Sequence, residues 1–194
     1  PSYATTLGAS ADRPSSLAEM MGIIINGGVR KPTQRINSLH FAQKTPYETL
    51  VKPAGQVQGE RVLAPEVAAA VSEAIRGVVS DGTVKTAFTM SDGQVIAVGG
   101  KTGTGDQRFE VYGAGGRLLE SRYVNRSATF VFNIGERFFG SMTAYVAGPS
   151  AADYDFTSAL PVQLLATLAP SLMPMIEPPK TAVAGAAPVK VCSG

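Results

Sequence analysis

The residues with the most chemistry in them lie together in Val98-Gly99-Gly100-Lys101-Thr102-Gly103-Thr104. Two chemistries use a glycine-flanked Lys-Thr pair, and spacing separates them. A loop that wraps a nucleotide phosphate reads G-x-x-x-x-G-K-[ST]. Gly100 precedes Lys101, so the first glycine of that pattern falls at Val95, inside the apolar run Gln94-Val95-Ile96-Ala97-Val98. No loop is left to surround a phosphate, and that reading fails on geometry. The other chemistry keeps the segment on a strand beside an acyl-transfer site. Gly103 then lets a peptide-like substrate approach the backbone where a side chain would block it. The substrate adds as an extra strand, its amides pairing with the main chain. Thr102 and Thr104 alternate onto one face, with hydroxyls suited to a carboxylate. The long stem of Lys101 carries its ammonium to a neighbouring proton network.

The surrounding pattern supplies elements that could hold such a strand. Gln94 to Val98 reads as a short buried strand entering the motif. Thr129 to Ile134 and Phe138 to Val146 flank Gly135-Glu136-Arg137 as a β-hairpin, apolar on both faces as in strands covered by helices. Ser16 and Glu19 have capping-box spacing for a helix that ends at Asn26-Gly27-Gly28. A second helix starts at Pro65-Glu66, with Val67, Ala70, Val71, Ala74, Ile75 and Val78 as its stripe and Asp81-Gly82 as its stop. A last helix covers Ser158 to Leu168, with Pro161 near its start and Val162, Leu165 and Leu168 facing inward. Residues 29 to 63 are punctuated by proline and glycine. Asp106 to Arg126 is polar, with Arg108, Arg117, Arg122 and Arg126. It reads as a solvated loop or as a basic rim able to meet acidic peptide groups. From Pro170 onward, proline, alanine and glycine dominate, which predicts a tail. The expected division is therefore 1–169 as a packed domain and 170–194 as tail.

Bulk composition narrows the function classes. The chain has 194 residues, enough for one domain with a core, and 44% hydrophobic against 16% charged residues is ordinary for a globular protein. A net charge of +2 gives no field that would attract nucleic acid. The longest apolar run read from the sequence, Met20 to Ile25, falls short of the ~20 residues a bilayer needs. The sole cysteine, Cys192, excludes an internal disulfide and a cysteine-rich zinc site. The sole histidine, His40, excludes two-histidine metal motifs and sits in a stretch read as surface.

Lys-Thr-Gly is the third element of the penicillin-binding and serine β-lactamase set. In context the chain resembles the transpeptidase domain of class A penicillin-binding proteins, the bifunctional peptidoglycan synthases, over residues 3 to 169. Leu7-Gly8-Ala9-Ser10, Leu17-Ala18-Glu19-Met20 and Asn26-Gly27-Gly28-Val29 are similar to the family's Leu-Gly-x-Ser, helix, Asn-Gly-Gly segment. Ala64-Pro65-Glu66-Val67 through Gly77-Val78-Val79 and Gly82-Thr83 resembles the helix before the Lys-Thr-Gly strand. The hairpin and the Pro161 helix resemble the family's last strands and closing helix.

That resemblance implies an α+β, β-lactamase/transpeptidase-like fold, a central antiparallel sheet flanked by helices, of which this chain is a partial domain. It implies D,D-transpeptidation of peptidoglycan stem peptides through an acyl-enzyme, with β-lactams as inhibitors and no cofactor or metal. Lys101 would polarise the serine of an upstream Ser-x-Asn. The Thr104 N–H would complete the oxyanion hole. Thr102, Gly103 and Thr104 would bind the substrate, the two hydroxyls holding its carboxylate. The parent protein would be membrane-anchored on the periplasmic side with a glycosyltransferase domain upstream, this segment itself making no membrane contact.

Two departures matter. No lysine has a serine three residues before it, Thr49-Leu50-Val51-Lys52 being nearest, and no Ser-x-Asn occurs. Both elements belong upstream of residue 1 in the family, so the chain alone is expected to be inert and to associate with the missing N-terminal half of its domain, swap or dimerise. Tryptophan is also absent, although many relatives carry a Trp-Phe pair soon after the motif. The alternative is a non-catalytic relative that binds peptidoglycan or a partner.

Overall fold

The computed structural model describes residues 12–36, 38–52, 58–76 and 87–177. The Leu7–Ser10 segment, Val78, the stop at Asp81-Gly82 and the chain after residue 177 lie outside these. Three α-helices are described: α1 (Pro14–Ile25), α2 (Pro65–Arg76) and α3 (Ala159–Ile176). The strands are β1 (Val29–Arg30), β2 (Leu39–Phe41), β3 (Thr49–Val51), β4 (Glu60–Arg61), β5 (Val98–Tyr112), β6 (Leu118–Ile134) and β7 (Phe138–Ala147). The last three form one antiparallel sheet in the order β5-β6-β7, and β1 with β4 and β2 with β3 make two separate pairs. The mixed helix and antiparallel sheet agrees with the expected fold class.

The sheet is a divider with helices on both sides. On one face Val98, Phe130 and Ile134 pack with Phe88, Val162, Leu165 and Ala169, which places α3 there. On the other face Gly22 of α1 meets the Phe139 ring so closely that an added Cβ would lie 2.6 Å from it. Gly99 likewise approaches α2, where a Cβ would stand 3.3 Å from the Arg76 Cα. Large apolar side chains thus fill the α3 face, while glycines bring helices close on the opposite one. Ile134, 3% exposed in the core cluster, tests this packing. Ile134→Val is expected to cost about 1 kcal/mol. In urea unfolding this is read as a lower midpoint at unchanged slope.

Several local expectations are corrected. Pro14 sets the start of α1, with Arg13 as N-cap and no side-chain cap, so Ser16 lies inside the helix. Proline suits the first helical position because its missing N–H has no partner there anyway. Glu19 instead pairs with Arg30 Nε at 2.5 Å, a bond that holds the guanidinium pKa above its ordinary value. The helix end is as expected. Gly28 N–H bonds Ile23 O at 2.8 Å and Gly27 N–H bonds Ile24 O at 3.1 Å, a Schellman motif with both glycines at positive φ.

The inward stripe of α2 is rotated from the one expected. Ala68 is fully buried with Val71, Ser72 and Ile75 partly so, whereas Val67 is 44% exposed. In α3, Ala169 takes the buried place expected of Leu168, which is 44% exposed. The helix also runs through Pro170 and Pro174 to Ile176, past the expected start of the tail. Leu172, Met173 and Ile176 pack against the core, so burial outweighs the prolines' helix penalty. Among the described residues α3, not Met20–Ile25, is by length and composition the helix apolar enough to cross a membrane. Its inner face is nonetheless part of the protein core.

Residues 94–97 do not form the predicted buried strand. Asp92-Gly93 makes a turn in which Met90 N–H bonds Gln94 O at 2.8 Å and Ile96 N–H bonds Phe88 O at 2.8 Å. Val95 is 51% exposed, and the sheet begins only at Val98. The Asp106–Arg126 stretch is corrected most. It is an antiparallel arm continuing β5 and β6, with register shifts at Gln107/Arg108 and Val111/Tyr112. Gly115 and Gly116, both at positive φ, turn the chain at its tip. Cross-strand pairs stabilise the arm, Arg108 over the Tyr123 ring and Arg122 over the Phe109 ring.

Candidate active site on an open strand edge

Lys101, Thr102, Gly103 and Thr104 lie on β5, at the edge of the sheet. Two hydrogen bonds fix which backbone groups look outward. Gly135 N–H bonds Ala97 O at 2.8 Å, and Gly148 N–H bonds Val124 O at 2.8 Å. Antiparallel pairs alternate between exchanging both bonds and exchanging none. Carried along the register, Gly99, Lys101, Gly103 and Gly105 bond to Asn133, Val131, Thr129 and Ser127 of β6. Val98, Gly100, Thr102 and Thr104 therefore point their N–H and C=O groups away from β6. Among the described residues no strand pairs with that edge.

Side chains add to what the edge presents. Thr102 and Thr104 fall on the α3 face, Lys101 and Gly103 on the other. Among the described residues a Cβ at Gly103 would meet nothing within 4 Å, so that face is open in front of the motif. The opposite condition holds at Gly100, where a Cβ would sit 2.4 Å from Val131 O. One glycine is demanded by packing and the other is left free for an approaching ligand. Lys101 is exposed, and its ammonium bends to the edge, donating to the Thr102 carbonyl at 2.5 Å. That carbonyl is one of the outward groups, so an incoming strand would compete with the lysine for it.

The structure brings the four motif residues together and gives Thr104 a further partner. Its Oγ1 accepts the Ser158 N–H at 2.9 Å. Nothing near Lys101 in the sequence signals this contact, because Ser158 arrives from the far end of the chain. The arm offers less than a basic rim would. Arg108 pairs with Asp106 at 3.4 Å, Arg122 with Glu120 at 3.5 Å, and Arg126 Nε donates to Phe156 O at 3.0 Å. Nearby Tyr112 donates to Glu110, a bond that raises the phenol pKa above its ordinary value. A concavity of about 660 Å³ lies elsewhere, between α1 and residues 31–35. The motif faces an open edge, not an enclosed pocket.

The family model of the penicillin binding protein transpeptidase domain matches residues 4–116, a span ending just beyond this edge. The chain belongs to that family. The match covers α1, α2 and the Lys-Thr-Gly-Thr strand of this transpeptidase-domain chain. Solved structures with similar coordinates include penicillin binding protein 3 of Mycobacterium tuberculosis complexed with aztreonam, at 20% identity and TM-score 0.48, covering 82% of this chain and 34% of that one. A peptidoglycan synthetase from Bifidobacterium adolescentis gives 22% identity and TM-score 0.45, covering 84% and 27%. Penicillin-binding protein 2B of Streptococcus pneumoniae gives 19% identity and TM-score 0.47, covering 85% and 25%. The chain thus spans about a third or less of the length of these structures. None of the curated proteins matches it.

Proposed function

We propose that this chain supplies the substrate-binding edge of a serine D,D-transpeptidase that cross-links peptidoglycan stem peptides and is acylated by β-lactams. One observation carries the reading: Thr104 turns its N–H outward on an unpaired edge, beside the Lys101 ammonium. A stem peptide adds along that edge as a strand, its carbonyl oxygen against the Thr104 N–H. A serine oxygen from the remainder of the domain attacks the carbonyl carbon and an ester forms. The C–N bond breaks, and D-alanine leaves with the proton. The amine of a second stem then displaces the serine. Negative charge grows on the carbonyl oxygen during attack, where a fixed N–H is most effective. Thr102, on the same strand, hydrogen-bonds the terminal carboxylate, and Lys101 polarises the serine of a Ser-x-Asn in the same remainder.

The nucleophile belongs to that remainder because these residues contain no Ser-x-x-Lys. The missing half is also the partner for the open edge and for apolar side chains such as Val67 and Leu168. By the motif resemblance the parent is a class A synthase, anchored on the extracytoplasmic side with a glycosyltransferase domain upstream.

A fluorescent penicillin tests the assignment. The full-length protein is expected to carry a covalent label that survives denaturation, and the 194-residue polypeptide alone to carry none. An unlabelled full-length protein favours the non-catalytic binding relative instead. Label on the isolated polypeptide would show that a nucleophile lies within it and overturn the division of labour.

A further inference from the structure

Thr104 turns two polar groups in different directions. Its N–H looks along the open edge, while its hydroxyl oxygen accepts the Ser158 N–H at 2.9 Å. Ser158 is the N-cap of α3, at φ −61°, and its own side chain makes no capping bond. A threonine hydroxyl has one proton to donate and two lone pairs to accept with. Engaging one lone pair fixes the rotor, and the hydroxyl becomes a directed donor. The turn before α3 is anchored a second time. Arg126 Nε donates to Phe156 O at 3.0 Å, and its guanidinium lies 5.5 Å from the centre of the Phe156 ring. Two neighbouring strands therefore grip one turn, β5 through Thr104 and β6 through Arg126, so the amide that orients the hydroxyl is itself held in place.

We propose that the Ser158 backbone amide is a positioning group for substrate recognition, orienting the Thr104 hydroxyl so that its proton meets a carboxylate laid along the edge beside Thr102. The inference rests on the transpeptidase reading and adds to it the device that aims the donor. Accepting a bond from the amide that caps the positive end of a helix polarises the hydroxyl and strengthens the bond that it donates. A charged acceptor gains most from this. The consequence is selectivity, since a carboxylate benefits from an aimed proton far more than its neutral ester does.

The test uses the full-length protein and two probes, a β-lactam with a free carboxylate and the methyl ester of the same compound. Ser158→Pro removes the donor at a residue whose φ already suits proline. Acylation by the carboxylate probe is expected to slow about tenfold, as for loss of one hydrogen bond to a charged group. The ester rate should not change. Combining Ser158→Pro with Thr104→Val should give no further loss than Thr104→Val alone, since both act through one contact. If melting shows that the proline variant is unfolded, the α-hydroxy acid analogue of serine at position 158 replaces N–H by oxygen and carries the same expectation. Unchanged rates with both probes, or equal losses with both, overturn the proposal. A wild-type protein that neither probe acylates removes the transpeptidase reading itself, a result distinct from either.

Discussion

Thr104→Pro in the full-length protein is expected to slow β-lactam acylation about 10²–10³-fold, the usual effect of removing one oxyanion donor. The substitution is informative because of where the N–H points. Residues 99, 101, 103 and 105 bond to β6, and Thr104 faces the open edge. Proline is tolerated on an edge strand where its missing N–H would have met solvent. The sheet therefore loses no ladder bond, and any shift in the unfolding transition should match that of Thr104→Val, which likewise loses the hydroxyl bond to the Ser158 N–H. The same substitution at Gly103 would delete a bond to Thr129 and confound folding with chemistry. Proline at 104 also removes the hydroxyl, so Thr104→Val is the companion measurement: it keeps the N–H and should retain most of the rate toward an uncharged probe. A proline variant that is folded and acylated at the wild-type rate would remove Thr104 N–H from the reaction.

How much of this could be read beforehand depended on the range of the interactions. The Gly27-Gly28 stop was legible because positive φ is a local demand that glycine meets locally. The β6–β7 hairpin was legible for the same reason, its apolar arms flanking a short turn at Gly135. The edge position of the motif strand was legible too, because a substrate that adds as an extra strand needs an unpaired edge, and the order β5-β6-β7 supplies one. The arm from Asp106 to Arg126 was misread because its charges and glycines look like a loop. Its strands are held by pairs such as Arg108 with Tyr123 that exist only once the hairpin has closed. The rotated stripe of α2 has a related cause. Small and β-branched residues occupy several of its faces, so the side that meets β5 is chosen by the sheet and by the closeness that Gly99 permits. The Ser158 contact is the extreme case, joining residues fifty-four positions apart.

Lys101→Ala carries the second large effect. A positioned proton-transfer or charge-stabilising group contributes about 10²–10⁴-fold, and a loss of at least 10² in acylation rate is expected. Stability should barely move, because Lys101 is exposed and, among the described residues, its ammonium bonds only the adjacent Thr102 carbonyl. Binding before the chemical step should not weaken either. The alanine variant frees the Thr102 carbonyl that the ammonium covers, leaving an outward acceptor available to an added strand. The deficit should therefore lie in the acylation step and not in the concentration of β-lactam giving half-maximal rate. Lys101→Arg separates charge from proton traffic, since guanidinium stays protonated throughout the accessible pH range. If the lysine acts only as a fixed positive charge, arginine restores most of the rate. If it passes a proton through the network of the upstream serine, arginine remains slow. An alanine variant as fast as wild type would show that the lysine serves the strand and not the reaction, and would leave Thr104 N–H as the one catalytic group of this edge.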